Sequence, residues 1–420
     1  MFALTNVVRD YAWGSRTAIA ALLGTEPSGG PEAELWMGAH ADSPSIATTP
    51  EGPVALDQLI AEHPLSTLGQ EALDAFGAQL PFLVKLLAAD TALSLQVHPK
   101  LERARERFAA EEAAGIPRDA PHRSYKDANH KPEMLFALTN FEALCGFRPS
   151  AEAADLFSAV VNAIAATGAR IPELLQQVQM TLNSRMAEHA VVQSVFETLL
   201  QDGGETTALL ETAIPALAAV AATSANTLPP ALATVVELAG QYPSDSGVLA
   251  SLLLNRVSLV PGQAMYLPDG NIHAYLNGFG LEVMACSDNV LRGGLTVKHV
   301  DVPELLATVD FIPRAVPLVP SRVTDLGQHL WEPPAAEFTL QRVEIAPDSA
   351  PVPLLQNGPL LVLSVSGAVL LDSPRSDMVL ARGSSVFVPA AENPVMVHPH
   401  VDAAGETSVV FAVTCGAFTS

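Results

Sequence analysis

Three stretches of this chain gather side chains capable of metal or acid–base chemistry. In Leu93–His98 (LSLQVH) a short apolar run carries a polar row. On a strand alternate side chains share a face, so Ser94, Gln96 and His98 point one way and Leu93, Leu95 and Val97 the other. A polar row on an otherwise apolar strand needs hydrogen-bond partners or a metal. A satisfied core histidine and a metal ligand both fit at this point, and glutamine is an uncommon ligand. Tyr125–Glu133 (YKDANHKPE) places His130, Lys131 and Glu133 around Pro132, which favours an extended backbone before it. A carboxylate there could complete a nitrogen–oxygen metal set; an exposed charged loop is the other reading. His273 lies in the turn-rich LPDGNIHAYLNG. After it, Leu281–Val302 carries Glu282, Asp288, Arg292 and Lys298 among apolar residues, with Gly293 and Gly294 allowing close backbone approach.

The distribution of lysine ties the three stretches together. The chain has five lysines, Lys85, Lys100, Lys126, Lys131 and Lys298, and each lies inside or beside one of these stretches. Elsewhere basic charge comes only from arginine. An ammonium can hold phosphate as a point charge, or move protons when burial lowers its pKa. On a chain with a formal net charge of −23, such residues could form a local positive well for an anionic substrate.

The elements that must position these groups can be read from periodicity. Pro81–Ala89 and Leu93–His98 have the pattern of buried strands, and Leu101–Ala114 that of a helix. Residues 1–150 otherwise read as short strands and loops. From 151 to 250 the period becomes helical: Phe157, Val160, Val161 and Ile164 share a face, as do Val192, Val195, Phe196 and Leu199. Strand character returns near Val257 and continues to the end. Gly262 and Pro268 (GQAMYLP) are echoed by Gly383 and Pro389 (GSSVFVP). His273 follows the first copy where Pro394 follows the second, so only one of two related β-units keeps the potential ligand. The expected fold is mainly β with a helical insertion. Residues 1–150 and 251–320 would form a catalytic barrel, 151–250 an all-α insertion and 321–420 a second barrel, as in paired jelly rolls.

Bulk properties exclude several functions. A surface this acidic repels nucleic acid and anionic lipid. Three scattered cysteines, Cys145, Cys286 and Cys415, suggest neither a disulfide framework nor a cysteine-based zinc knuckle, and point to a reducing cytoplasm. Arg9 and Asp10 interrupt any signal-peptide core. The apolar stretch Ile214–Ala222 is short for a bilayer and contains Pro215. The expectation is a soluble, cytoplasmic, monomeric protein without nucleic-acid or membrane partners.

With these residues in view, ELWMGAH (Glu34–His40), QVHP (Gln96–Pro99), YKDANHKPEM (Tyr125–Met134) and LPDGNIHAYLNGFGLEVMACSDNVLRGGLT (Leu267–Thr296) resemble the type I mannose-6-phosphate isomerases, as does YAWGS (Tyr11–Ser15). The resemblance runs in family order from residue 11 to about 305. It implies cupin barrels with a helical domain and one Zn²⁺ per subunit held by Gln96, His98, Glu133 and His273, with water or substrate completing the open catalytic site. It also implies Arg292 as the essential arginine, with Lys131, Asp288, His98, Lys85 and Glu282 lining the cleft. Two positions depart from the family pattern: His98-Pro99-Lys100 lacks an aspartate after the proline, and Thr296-Val297-Lys298 lacks a proline.

The implied reaction interconverts mannose 6-phosphate and fructose 6-phosphate through ring opening and a cis-enediol. Asp288 and His98 would open the ring, Arg292 would stabilise the oxyanion and Lys131 would shuttle protons. A zinc ligand cannot readily double as a free base, which weighs against His98. The alternatives are a related metal-dependent aldose–ketose isomerase acting on another sugar and a non-catalytic sugar-binding cupin.

Overall fold

The computed structural model describes residues 1–201, 204–223, 228–403 and 405–417. Its strands form three sheets of eleven, nine and four strands, and every strand pairing among the described residues is antiparallel.

The thirteen-residue strand His273–Ala285 organises the eleven-stranded sheet. Its first residues pair with Leu95–Val97 and Phe141–Phe147. Its later residues pair with Phe82–Ala89 and Glu133–Ala137. The bend between the two halves falls at Gly278, with φ +134°, where a Cβ would sit 2.7 Å from the Asn140 carbonyl oxygen. No larger residue fits there without moving the chain.

Each half then buries one face by strand alternation. In the first half Leu95, Val97, Leu144, Ala274, Leu276 and Leu291 face a helical core. In the second half Phe82, Val84, Leu86, Met134, Phe136, Leu281 and Val283 face the nine-stranded sheet, meeting Leu340, Leu361, Leu363, Phe387 and Phe411. Phe136 stands edge-on to Trp331 and Phe411, with ring centroids 4.8 and 5.0 Å away, the arrangement aromatic quadrupoles favour. The alternate residues Gln96, His273, Lys85, Glu133 and Glu282 are left on the opposite faces.

The helical region, packed on the first half of the large sheet, contains Ser150–Ala166, Glu173–Leu182, Glu188–Leu200, Gly204–Ala222 and Pro230–Gln241. Phe157, Val160 and Ile164 are buried, as are Val192, Val195, Phe196 and Leu199, whereas Val161 lies at the margin. Ile214–Ala222 is the second half of a longer helix, Gly204–Ala222, which by length and composition alone could cross a bilayer. Leu209, Leu210, Ala213, Ala216 and Leu217 instead spend its apolar face in the helical core.

Two expectations need correction. Residues 1–150 do not stay together, because Phe2–Thr5, Ile46–Thr49 and Gly52–Ala55 pair into the nine-stranded sheet with the C-terminal strands. The chain crosses between sheets at Asn6, whose side chain donates to Ser385 Oγ and accepts from Ser45 Oγ. Short helices Leu56–Glu62, Pro64–Leu68 and Gln70–Phe76 occupy a region expected to be strands and loops. They are too brief for a helical period to stand out. The two GxxxxxP copies do correspond: Gly262 and Gly383 both have positive φ, and each precedes a short strand, Ala264–Leu267 or Ser385–Val388, that ends at the proline.

His130 links the loop before His273 to the C-terminal part of the chain. Its Nδ1 lies 2.9 Å from Asp269 Oδ2 and its Nε2 2.7 Å from Glu337 Oε1. Burial disfavours the imidazolium, but the two carboxylates outweigh it and raise the pKa to about 10. A raised folded-state pKa stabilises fully below the ordinary histidine value of 6.5 and loses that contribution as pH climbs through about 10. His130→Gln is therefore expected to lower unfolding free energy at pH 6 by about 2 kcal/mol, the scale of hydrogen bonds to a charged group. Urea titrations at pH 6 and above pH 10 should show the gap between wild type and variant closing; a gap independent of pH would contradict this assignment.

Candidate active site and metal centre

Between the two halves of the large sheet, strand register brings the sequence-predicted ligands together. Gln96 and His273 are direct cross-strand neighbours, and Gln96 is also opposite Arg292. Glu133 begins the strand that pairs beside Met284. The result is a buried cluster in which Glu133 Oε2 lies 3.4 Å from His98 Nε2 and 3.3 Å from His273 Nε2. The three potential ligand atoms lie within 4.8 Å of one another. Lys131 Nζ approaches the other carboxylate oxygen at 3.2 Å.

The outer ring nitrogens define the tautomers. His98 Nδ1 donates to the Asn289 carbonyl at 2.7 Å, and His273 Nδ1 donates to the Asn271 carbonyl at 3.0 Å. A carbonyl can only accept, so in each neutral imidazole the Nε2 lone pair faces Glu133. Burial lowers the pKa of His98 and favours that neutral form. Burial resists the Glu133 charge, yet the electrostatic pull of His98 and Lys131 holds its carboxyl well below the ordinary range. His98 Nε2 is buried without a hydrogen-bond partner. Two inward lone pairs and a carboxylate form a donor set suited to a divalent ion such as zinc, and the orphaned nitrogen fits that role. With Nδ1 donating to the Asn289 carbonyl, Nε2 turned toward Glu133 and the residue 1% exposed, His98 is poorly placed for the ring-opening role expected of it.

A cleft of about 370 Å³ opens beside this cluster. It is lined by Gln96, Lys85, Lys131, Asp288 and Arg292, and by Lys126 and Lys298. Arg9 joins them, making six basic groups against Glu34, Asp42 and Asp288. The acidic chain is locally inverted in sign, which concentrates an anionic ligand here. Arg292 has no ion-pair partner among the described residues, and burial lowers its pKa. Burial, followed by the charges of Arg292 and Lys126, likewise lowers that of Lys298. Lys126 also acts on the Asp288 carboxylate, but among the described residues no ion pair closes on Arg292, Lys126 or Lys298, which favours binding an anion there. Lys100, though flanking the motif, does not line the cleft.

Glu282 is not at the cleft surface as expected. It lies behind Lys85, accepting from Tyr275 Oη at 2.8 Å and facing Lys85 Nζ at 3.2 Å. Burial is the leading cause of its raised pKa. Lys85 also reaches Glu34 at 3.7 Å and stands 5.1 Å from the centre of the Trp36 ring. Burial opposes its charge, but Glu34, Glu282 and Glu133 outweigh this and keep the ammonium protonated. It is held as a buried ammonium between the carboxylates of Glu34 and Glu282. Asp288 lies 3.3 Å from His40 Nε2. Its burial is outweighed by His40, Lys131 and Lys126, which keep the carboxyl below its ordinary range.

The residue-by-residue reading passed over Glu34, Trp36, His40 and Asn289. Glu34 and Trp36 share a strand face, and Trp36 Nε1 donates to Glu34 Oε2 at 2.7 Å. An acidic residue two places from a tryptophan on a short apolar strand was the available signal. Nothing local marks His40 or Asn289, whose partners are distant in sequence.

Comparison with known proteins points the same way. Residues 1–150 match the family model described as phosphomannose isomerase type I, catalytic domain. The mannose-6-phosphate isomerase of Salmonella typhimurium is 39% identical over 398 residues, covering 94% of this chain and 96% of that protein. The human mannose-6-phosphate isomerase is 33% identical over 411 residues, covering 94% of each. A zinc-bound mannose 6-phosphate isomerase structure aligns with TM-score 0.86 and 35% identity over 99% of both chains. A mutant of the Salmonella typhimurium phosphomannose isomerase aligns with TM-score 0.87 and 36% identity, over 99% of this chain and 100% of that one.

The Lys85 pairings carry a stability consequence. Lys85→Ala leaves Glu34 and Glu282 buried without their cation, a change that costs about 3–5 kcal/mol. Protonating the carboxylates relieves part of that cost, so the loss measured by urea unfolding should be largest near pH 7 and smaller near pH 5. An equal loss at both pH values would contradict the fixed-charge role.

Proposed function

This chain belongs to the type I phosphomannose isomerase family, and from that premise we propose that it is a zinc-dependent enzyme interconverting mannose 6-phosphate and fructose 6-phosphate. The observation that carries this reading is the Glu133 carboxylate shared by the inward nitrogens of His98 and His273, next to a cation-lined cleft. Gln96, His98, Glu133 and His273 would hold one Zn²⁺ per subunit. When bound, zinc supplies a Lewis acid that polarises sugar oxygens.

The remaining chemistry falls to residues of the cleft. Arg292, Lys298 and Lys126 form the cationic end that suits a phosphate, or in the case of Arg292 a developing oxyanion. Asp288, kept ionised by His40, is the base for ring opening and takes the proton of the anomeric hydroxyl. The C1–O5 bond breaks as that proton is passed on to O5. In the open sugar the proton on C2 leaves as O1 is protonated to give a cis-enediol. As the O2 hydroxyl then gives up its own proton, one returns to C1. No external oxidant or co-reactant is needed. Lys131, at the cleft and in contact with Glu133, is placed to carry that proton. Lys85 holds Glu34 and Glu282 in register beneath. A non-catalytic sugar binder would not require Asp288, Lys131 and Arg292 to converge on one cleft, which weighs against that alternative.

The fold supports this reading as a cupin-type arrangement. The large sheet, folded over its polar interior, would be the catalytic jelly roll, and the nine- and four-stranded sheets the second. Free Cys145, Cys286 and Cys415 suit a reducing cytoplasm, where a monomer would suffice because the described cleft is built from one chain.

Three experiments test the function. Chelation should abolish mannose 6-phosphate isomerisation and added Zn²⁺ should restore it; a metal-free protein of full activity would exclude the proposal. Free mannose should turn over far more slowly than mannose 6-phosphate, and the reverse preference would favour another sugar. Arg292→Ala should lower kcat by about 10²–10³-fold, the usual cost of removing an oxyanion donor, at unchanged zinc content. Turnover near wild type in a folded Arg292→Ala protein would remove arginine from the mechanism.

A further inference from the structure

Asn289 is completely buried, in a loop between the strands that end at Ala285 and begin at Leu291. Both ends of its side-chain amide meet backbone groups. Oδ1 accepts from the N–H groups of Lys126 and Asp127 at 2.8 and 3.3 Å. Nδ2 donates to the carbonyls of Asp127 and Asn129, each at 2.8 Å. Backbone donors and acceptors cannot exchange roles, so the amide has only one compatible orientation. The same residue's own carbonyl receives the 2.7 Å hydrogen bond from His98 Nδ1.

Asp127 closes the connection from the other side. Its Oδ1 accepts from Ser287 Oγ at 2.8 Å and its Oδ2 from the Asp288 N–H at 2.8 Å. Ser287 Oγ in turn accepts from the Asn289 N–H at 3.2 Å. The Lys126–Asn129 loop, which leads directly into Lys131 and Glu133, is thus interlocked with the Ser287–Asn289 loop. One hydrogen bond carries that rigidity to His98.

We propose that Asn289 is a positioning residue that sets metal affinity, by fixing the carbonyl that orients His98 and holding the Glu133-bearing segment to the same loop. The inference rests on the metal site proposed above. Outer partners of a metal-bound histidine keep its lone pair aimed at the ion and raise its basicity, and losing one weakens metal binding about 10–100-fold. Asparagine is required and aspartate is not equivalent. A carboxylate would set an acceptor against the carbonyls of Asp127 and Asn129 and lose both donated bonds.

The test measures Zn²⁺ affinity directly, by competition with a chromophoric chelator, on wild type, Asn289→Asp, Asn289→Ala and Ser287→Ala, with circular dichroism as the check on folding. Both Asn289 variants should bind Zn²⁺ about 10–100-fold more weakly. Ser287→Ala, which removes only the brace beneath, should weaken binding by a few-fold, and it carries the test if neither Asn289 variant folds. Gln341→Ala serves as a structural control. Gln341 is equally buried and clamps Leu355 through both backbone groups in the C-terminal region, so its loss should lower thermal stability and leave zinc affinity unchanged. Wild-type affinity in folded Asn289 variants, or in Ser287→Ala where those do not fold, would overturn the inference. An equal weakening in Gln341→Ala would reduce Asn289 to general stability. A wild-type chain that binds no zinc would instead overturn the metal site itself.

Discussion

The Glu133 carboxylate is the constraint around which this protein is arranged. An isolated anion at 3% exposure would be prohibitively costly, and here two imidazoles and one ammonium surround it. None of these partners is local apart from Lys131. His98 follows one strand, His273 opens another and Glu133 starts a third, so compensating one charge requires the sheet to fold over on itself. The long strand with its bend at Gly278 makes that possible. The apolar alternation along each strand then determines what covers the outer faces, helices on one side and the second sheet on the other.

A second layer of charge surrounds the first. Lys85, Glu34 and Glu282 form a buried group in which two carboxylates share one ammonium. Arg292, Lys126 and Lys298 are not compensated in this way and face the cleft. The distinction separates structural charge from charge held ready for a ligand. It also explains why a chain so acidic overall can attract a sugar phosphate: its few lysines are confined to the place where their sign matters.

The helical region contributes to the cleft by close backbone approach. Gly294 and Gly247 meet where a Cβ on either would fall 2.8 Å from the other segment. Asp245 accepts from the N–H of Thr296 at 3.1 Å. The segment bearing Arg292 and Lys298 is therefore anchored from the helical side, whereas Glu133 and Lys85 are anchored from the sheet-on-sheet side. The cleft lies where the helical core, which backs Gln96, His98, His273 and Arg292, meets the sheet-on-sheet core, which backs Glu133 and Lys85.

Sequence alone determined the polar row of Gln96 and His98, the helical span between 151 and 250, and the two glycine-to-proline turns, because each depends on a period or spacing within a few residues. Lysine placement marked the site for a similar reason: scarcity can be counted without knowing the fold. The family motifs supplied the four proposed ligands together. Tertiary structure alone decided that Phe2–Thr5 pairs with strands nearly four hundred residues later. It also decided that Glu282 lies behind Lys85, and that His98 turns Nδ1 to the Asn289 carbonyl and Nε2 toward Glu133. Asn289 and His40 were likewise invisible, since their roles consist of hydrogen bonds to segments more than a hundred residues away. A local pattern records which face of an element is apolar. It does not record which distant carbonyl or carboxylate waits on the other face, and in this protein that is what fixes the chemistry.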